Sequence, residues 1–259
     1  VNPSIPEPFL VGAAFLYGLL FGSFANVCIY RLPRDRSVIW PRSACPGCGR
    51  PIRWFDNVPV LSWILLLGRC RDCRSPISPR YPLVETTVGA IFALAVARHP
   101  GQWVEAGAEA LFGWILVVLV FTDFDLQILP DQLTLGGIVA GLALAPWRTT
   151  VDLRGAAIGA AAGGGVLLAI ASLYSFVRKR EGMGLGDVKM LAAIGAFLGW
   201  KGVVVAMALG GVAGSMVGVL LVLRGLSLRD TKIPFGVFLG LGALAALYSG
   251  DLIGRFYGL

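Results

Sequence analysis

Twenty-two consecutive residues, Phe9 to Tyr30, carry no charge. About 20 helical residues span the hydrocarbon of a bilayer, so a run of this length is read as a membrane crossing rather than a core helix. The pattern returns after Tyr81, with apolar runs near 82–98, 105–124, 132–147, 155–177, 186–200, 202–223 and 233–250. Only 14% of the residues are charged, against about a quarter in soluble domains, which is too few to cover a water-facing surface. The reading is an all-α polytopic membrane protein with about eight transmembrane helices. Thirty-five glycines fit it, because small residues let membrane helices pack closely. The first run is too long for a cleaved h-region and is read as a retained span.

Arginine and lysine set the orientation. With the polar stretch after the first span in the cytoplasm, the inside segments hold seventeen basic residues. Ten of these are arginines between Arg31 and Arg80, followed by Arg178, Lys179, Arg180, Lys189, Arg224, Arg229 and Lys232. The outside keeps Arg98, Arg148, Arg154, Lys201 and Arg255. Positive-inside topology thus explains a pI near 9.5 without a nucleic-acid partner. Three parts follow: a first transmembrane helix (1–30), a cytoplasmic loop domain (31–81) and a seven-helix transmembrane domain (82–259).

The loop carries Cys45 and Cys48 in "CPGCGR", then Cys70 and Cys73 in "CRDC". Two C-x-x-C pairs at this separation fit a structural zinc ion held by four thiolates, each pair forming one knuckle. Gly47 and Gly49 allow the first pair its tight turn. Disulfides are the alternative, and a reducing cytoplasm disfavours them. Cys28, inside the first span, is read as a packing residue.

Carboxylates at membrane depth cost about 2.5–3.5 kcal/mol each on insertion scales and are functional candidates for that reason. "FTDFDLQILPDQLT" supplies Asp123, Asp125 and Asp131, "GMGLGDVKM" supplies Asp187, and Glu85 lies just inside the second span. Asp131 follows Pro130 and reads as a helix-start residue. Asp123 and Asp125 point roughly 200° apart on a helix, with Asp123 about 3 Å deeper, so Asp125 is expected to face solvent or a loop arginine. If Asp123 met Asp187, the two could share a proton and serve as base and acid, as in aspartic proteases. Spacing alone leaves that pairing open.

At these residues the chain resembles the bacterial type IV prepilin peptidases, which also process type II secretion pseudopilins. "GSFANVCIYRLP" (Gly22 to Pro33), the two C-x-x-C pairs, "NVPVLSW" (Asn57 to Trp63), "SPRYPLVE" (Ser78 to Glu85), "DFDLQILPDQLT", "GLGDVKM" and "KIPFGVFLGLGA" (Lys232 to Ala243) match the family in order along nearly the whole chain. The resemblance implies an integral aspartic peptidase of the G-x-G-D type in the bacterial inner membrane, with Asp123 and Asp187 as its catalytic pair. It implies cleavage of a short basic leader, typically after glycine, at the cytoplasmic face. Methylation of the new N-terminus from S-adenosylmethionine would follow. That second activity is associated with the cysteine-bearing loop, where Gly68–Arg69 replaces the family's usual Gly-Lys. The donor is expected near Gly68, Arg69 and Glu85.

Two other classes are weaker. A magnesium-dependent transferase acting on diphosphates would need denser acidic spacing than this chain has. A proton-relaying transporter would place acids at mid-membrane depth, whereas these sit at one face. The single His99 is read as solvated in an outer loop, and the tryptophans as interfacial or packing residues.

Overall fold

The computed structural model describes residues 6–179, 184–225 and 234–257. Arg180, Gly182, Arg229 and Lys232, used above for topology or for the G-x-G-D segment, lie outside the described residues. The described residues are helical, with no strand beyond two isolated bridges. Eight helices are α1 (Glu7–Arg31), α2 (Leu61–Leu65), α3 (Arg80–Arg98), α4 (Trp103–Leu126), α5 (Asp131–Leu144), α6 (Leu153–Arg178), α7 (Leu185–Leu223) and α8 (Phe235–Tyr257). Five described helices are long and apolar enough to cross a membrane: α1 with its extension to Arg34, α3, α4, α6 and α7. The chain divides into two compact units, Val1–Val118 and Leu119–Leu259.

In the first unit α1 and α3 pack antiparallel, as their contact order shows. Gly22 lies against the Glu85 backbone and Gly18, a turn earlier, against Gly89 and Phe92, a turn later. Trp114 of α4 is buried, donating from Nε1 to the Phe21 carbonyl at 3.0 Å and stacking on Phe24. Its indole N–H is thereby satisfied inside an apolar contact. Cys28 of α1 is buried, as a packing residue should be.

In the second unit α7 is 39 residues long, far more than the roughly 20 that one crossing needs. It is broken at Gly199, where φ is 68° and ψ −179°, a conformation that favours a residue without Cβ. The contacts show that the chain reverses there. Before the break, Gly195 meets the Gly159 backbone and Leu191 meets Gly163, so this half runs antiparallel to α6. Met190 reaches Gly240, while Leu129 touches both Gly186 and Gly236, so the same half runs parallel to α8. After the break, Ala206 meets Gly242 and Phe238 meets Gly210, which is antiparallel to α8. The turn expected at Gly199–Trp200–Lys201–Gly202 is thus present. Arg148 serves the break by donating to the Phe197 carbonyl at 2.8 Å, one of the acceptors a helix end leaves unpaired.

Helix bounds differ from the apolar runs by a few residues at several places, most at α8, which continues to Tyr257 where the last run was read to 250. The fourth apolar run was read to Trp147, but α5 stops at Leu144 and a 3₁₀ turn, Ala145–Trp147, follows. Pro146 lacks the N–H that would continue the helix.

Candidate active site and metal centre

The four cysteine sulfurs of the first unit all lie within 4.8 Å of one another. Their two knuckles repeat one backbone design. The Cys45 N–H donates to the Arg50 carbonyl and the Cys70 N–H to the Ser75 carbonyl, each at 2.9 Å. Within each turn the N–H of Gly49 or Arg74 returns to the first cysteine's carbonyl. Gly49 and Arg74 occupy equivalent places and both are left-handed, at φ 71° and 61°. Only the first knuckle uses glycine there. Gly47 answers a different need, since a Cβ on it would lie 2.7 Å from the Ser75 hydroxyl.

An ion held tetrahedrally at about 2.3 Å from sulfur sets its ligands about 3.8 Å apart, and Cys45 Sγ to Cys73 Sγ is 3.8 Å. The donor set therefore fits a closed, four-coordinate zinc. Ser75 prepares it: its hydroxyl lies 3.0 Å from Cys73 Sγ and 3.6 Å from Cys45 Sγ. Hydrogen bonding from Ser75, then from the backbone of Cys48 and Gly47, pulls the Cys45 thiol down to about 6. A thiolate, the form that binds metal, is thus favoured at neutral pH. Ser75→Ala is expected to lower zinc affinity about 10–100-fold, the usual effect of losing a group that supports a ligand. Competition with a metallochromic chelator would measure it. The loop is also tied by Arg71, which donates to Asp56 from Nε at 2.9 Å and from Nη2 at 2.6 Å, holding that carboxyl below its ordinary range.

The aspartates belong to the second unit. Asp123 lies one turn before the end of α4 and is only 5% exposed. Its Oδ2 accepts the Val237 N–H at 2.9 Å, in the first turn of α8. That turn's free N–H groups and positive dipole end suit a carboxylate. Gly236 makes the approach possible, because a Cβ there would lie 2.8 Å from Oδ2. Asp187 is half-buried in the first turn of α7, within electrostatic reach of Asp123. Leu129 lies against Gly186 and Gly236, the neighbours of the two aspartate positions. Residues 64 apart in sequence are thus brought to one lip by the end of α4 and the starts of α7 and α8.

Residues 110–219 match the model described as the type IV leader peptidase family, and residues 16–99 match the bacterial peptidase A24 N-terminal domain. Among curated relatives, a Burkholderia pseudomallei protein named prepilin leader peptidase/N-methyltransferase is 39% identical over 95% of this chain and 88% of its own length. Proteins of the same name from Aeromonas hydrophila (40%; 94% and 92%) and Pseudomonas aeruginosa (36%; 93% and 91%) are also similar. The chain belongs to the type IV leader peptidase family. No solved structure matches it.

In this leader-peptidase chain the other marked residues separate by environment. Asp125 is exposed, in keeping with its place on the opposite helix face. Asp131 begins α5 as expected, and it also pairs with Lys189 Nζ at 2.7 Å, two residues beyond Asp187. Gly68 is buried with its φ at 66° against the Trp63 ring, while Arg69 is exposed. Glu85 is buried and its Oε2 accepts the Val60 N–H at 2.7 Å.

His99 departs from its solvated reading: its side chain is only 15% exposed, and Nε2 lies 2.8 Å from Oε2 of the buried Glu109. Arg98 donates to the same carboxylate at 3.1 Å. The short α3–α4 connection explains it, because a carboxylate two turns into an apolar helix requires such partners. Gly236, Val237 and Leu129 carried no assigned role at the site in the sequence, and Lys189 was read only as a residue that sets orientation. A backbone N–H donor leaves no residue signature.

Proposed function

We propose that this chain is a membrane-embedded aspartic endopeptidase. It removes the basic leader of type IV prepilins or type II secretion pseudopilins at the cytoplasmic face of the bacterial inner membrane, then methylates the new N-terminus. The observation that supports this reading is that Leu129 packs against both Gly186, the residue before Asp187, and Gly236, which lies against the Asp123 carboxylate. The names of the curated relatives support both activities. The proposed topology has eight crossings, made by α1, α3, α4, α5, α6, the two halves of α7, and α8. Its parts are the first span (1–30), the cytoplasmic zinc loop (31–81) and a seven-span peptidase domain (82–259). The polarity of the contacts supports it, because α4 ends where α7 and α8 begin.

In the proposed reaction one aspartate is ionised and the other protonated. The ionised carboxylate takes a proton from water as the water oxygen bonds to the scissile carbonyl carbon. The protonated partner donates to the carbonyl oxygen. Collapse of the tetrahedral gem-diol breaks the C–N bond: the amine leaves with the proton that the first aspartate took from water, and one gem-diol hydroxyl returns its proton to the other aspartate, releasing a carboxylic acid and restoring the pair. Titration belongs to the two aspartates jointly. A transmembrane substrate helix followed into the cytoplasm by its leader would present the scissile bond at this lip.

The zinc ion is assigned a structural role, since four thiolates leave it no open position. S-adenosylmethionine supplies the methyl group, and its proposed place is the polar face at Gly68, Arg69 and Glu85. Arg69 is the exposed member of the three and the one a soluble donor can meet. Losing a charged hydrogen bond costs about 1.5–3 kcal/mol. Arg69→Ala is therefore expected to raise the half-saturating donor concentration at least about tenfold, while cleavage continues. Unchanged methylation kinetics would remove Arg69 from the donor site.

The reading is tested with purified protein and a prepilin in detergent, followed by mass spectrometry of the product's N-terminus. The expected product lacks the leader, and carries one added methyl group only when S-adenosylmethionine is present. Absence of any cut product would refute the peptidase assignment.

A further inference from the structure

We propose that α2 and the turn after it dip into the surface of the bilayer, seating the zinc loop on anionic phospholipid headgroups. Leu61, Ile64 and Leu65 share one face of α2, and Leu67 follows in the turn. All four are exposed, from 52% at Leu61 to 83% at Leu67. The opposite face is occupied. The Ser62 hydroxyl donates to the Phe55 carbonyl and accepts from the Val58 N–H, and Trp63 Nε1 donates to the Ile77 carbonyl. Adjacent exposed leucines of this kind mark an interaction surface.

The outward apolar turn is built into the fold. Val60 and Leu67 bracket α2 at φ 60° and 52°, a region unfavourable to side chains with a Cβ and above all to a branched one. The Val60 N–H is held by buried Glu85 at 2.7 Å. Gly68 closes the other end, donating to the Trp63 carbonyl at 2.8 Å and accepting from the Ile77 N–H at 2.7 Å.

Depth and charge identify the occupant. Glu85 lies five residues into α3, about 7 Å along the helix from Arg80. Through Val60 it fixes the start of α2 at a level inside that apolar helix. A leucine face at this depth meets lipid before it meets solvent. The segment Arg31–Arg80 carries ten arginines against Asp35, Asp56 and Asp72, a net charge of +7, which favours anionic headgroups. Trp40 and Trp54, 71% and 77% exposed, are of the type that settles at the membrane interface.

This inference rests on the reading that α1 and α3 cross the bilayer, and it is independent of the chemistry. The test uses the full-length, zinc-loaded protein in vesicles of phosphatidylethanolamine and phosphatidylglycerol. An environment-sensitive fluorescent amino acid is placed at position 65 or 67, and for reference at Arg50, exposed in the loop, or at Leu16, exposed in α1. Probes at 65 and 67 are expected to emit to the blue of the Arg50 probe. They should be quenched by lipids with a nitroxide below the headgroup and shielded from aqueous iodide. Iodide quenching at 65 and 67 equal to that at 50 would overturn the proposal. Shielding from iodide without quenching by lipid would overturn it too, by showing that protein covers the turn. A probe at Leu16 that lipid fails to quench would refute the membrane-crossing reading itself. Should the position-67 variant not fold, position 65 reports the same face.

Discussion

Cys45→Ser is expected to empty the four-thiolate site and unfold the loop between α1 and α3. That segment has little else to hold it. Its described elements are the five-residue α2, two short 3₁₀ turns and two single bridges. Its ion pairs are largely exposed on the arginine side, where such pairs contribute about 0–1 kcal/mol. A structural zinc contributes an apparent ~10–16 kcal/mol in small zinc-dependent folds, comparable to the whole stability of a typical domain at about 5–15 kcal/mol. Metal analysis should therefore find about one zinc per parent chain and nearly none in the variant. Trypsin should cut the variant rapidly at the loop arginines while sparing the parent. The spans should survive, because α1 and α3 pack through Gly18 and Gly22, away from the metal. A Cys45→Ser protein that keeps full zinc and resists trypsin would refute the structural role.

What could be read from the residues was local or periodic. Long charge-free runs located the apolar helices, since lipid demands apolar side chains along a whole helix. Gly199–Trp200–Lys201–Gly202 announced the reversal inside α7, because polar and flexible residues interrupt two apolar runs there. The four-cysteine cluster was legible for the same reason: each half is four residues long and needs no distant partner to be recognised. The end of α5 was overextended because composition continues through Ala145 and Trp147, while the missing N–H of Pro146 ends the helix.

Contacts that cross the fold were harder. Asp123 rests on the Val237 N–H, 114 residues away, and nothing about valine announces a donor to a carboxylate. Glu85 was placed near the methyl donor by the resemblance, and its hydrogen bond to the N–H of the strained Val60, 25 residues earlier, had no sequence signature. His99 was read by its loop position, but that loop is short enough to place it against Glu109. In each case the partner is fixed by packing between helices, which periodicity does not encode.

The largest effect is expected at the aspartates. Asp123→Asn and Asp187→Asn each replace a group that must gain or lose a proton with an amide of similar shape that cannot. Each should lower cleavage about 10³–10⁴-fold or more. Because the two act as one unit, the double variant should be no slower than the slower single, as in other catalytic groups that work together. Asp125→Asn should retain most of the activity, since that side chain is exposed on the other face of α4. In the Asp123→Asn protein the amide oxygen could still accept the Val237 N–H, so a folded variant is expected. Thermal melting would check this, with a midpoint near that of the parent.

The most direct measurement is prepilin cleavage by purified parent, Asp123→Asn, Asp187→Asn and Asp125→Asn proteins at equal concentration. A shared two-aspartate site predicts that the parent and Asp125→Asn convert the substrate while the other two leave it uncut. Full conversion by either Asp123→Asn or Asp187→Asn would contradict it.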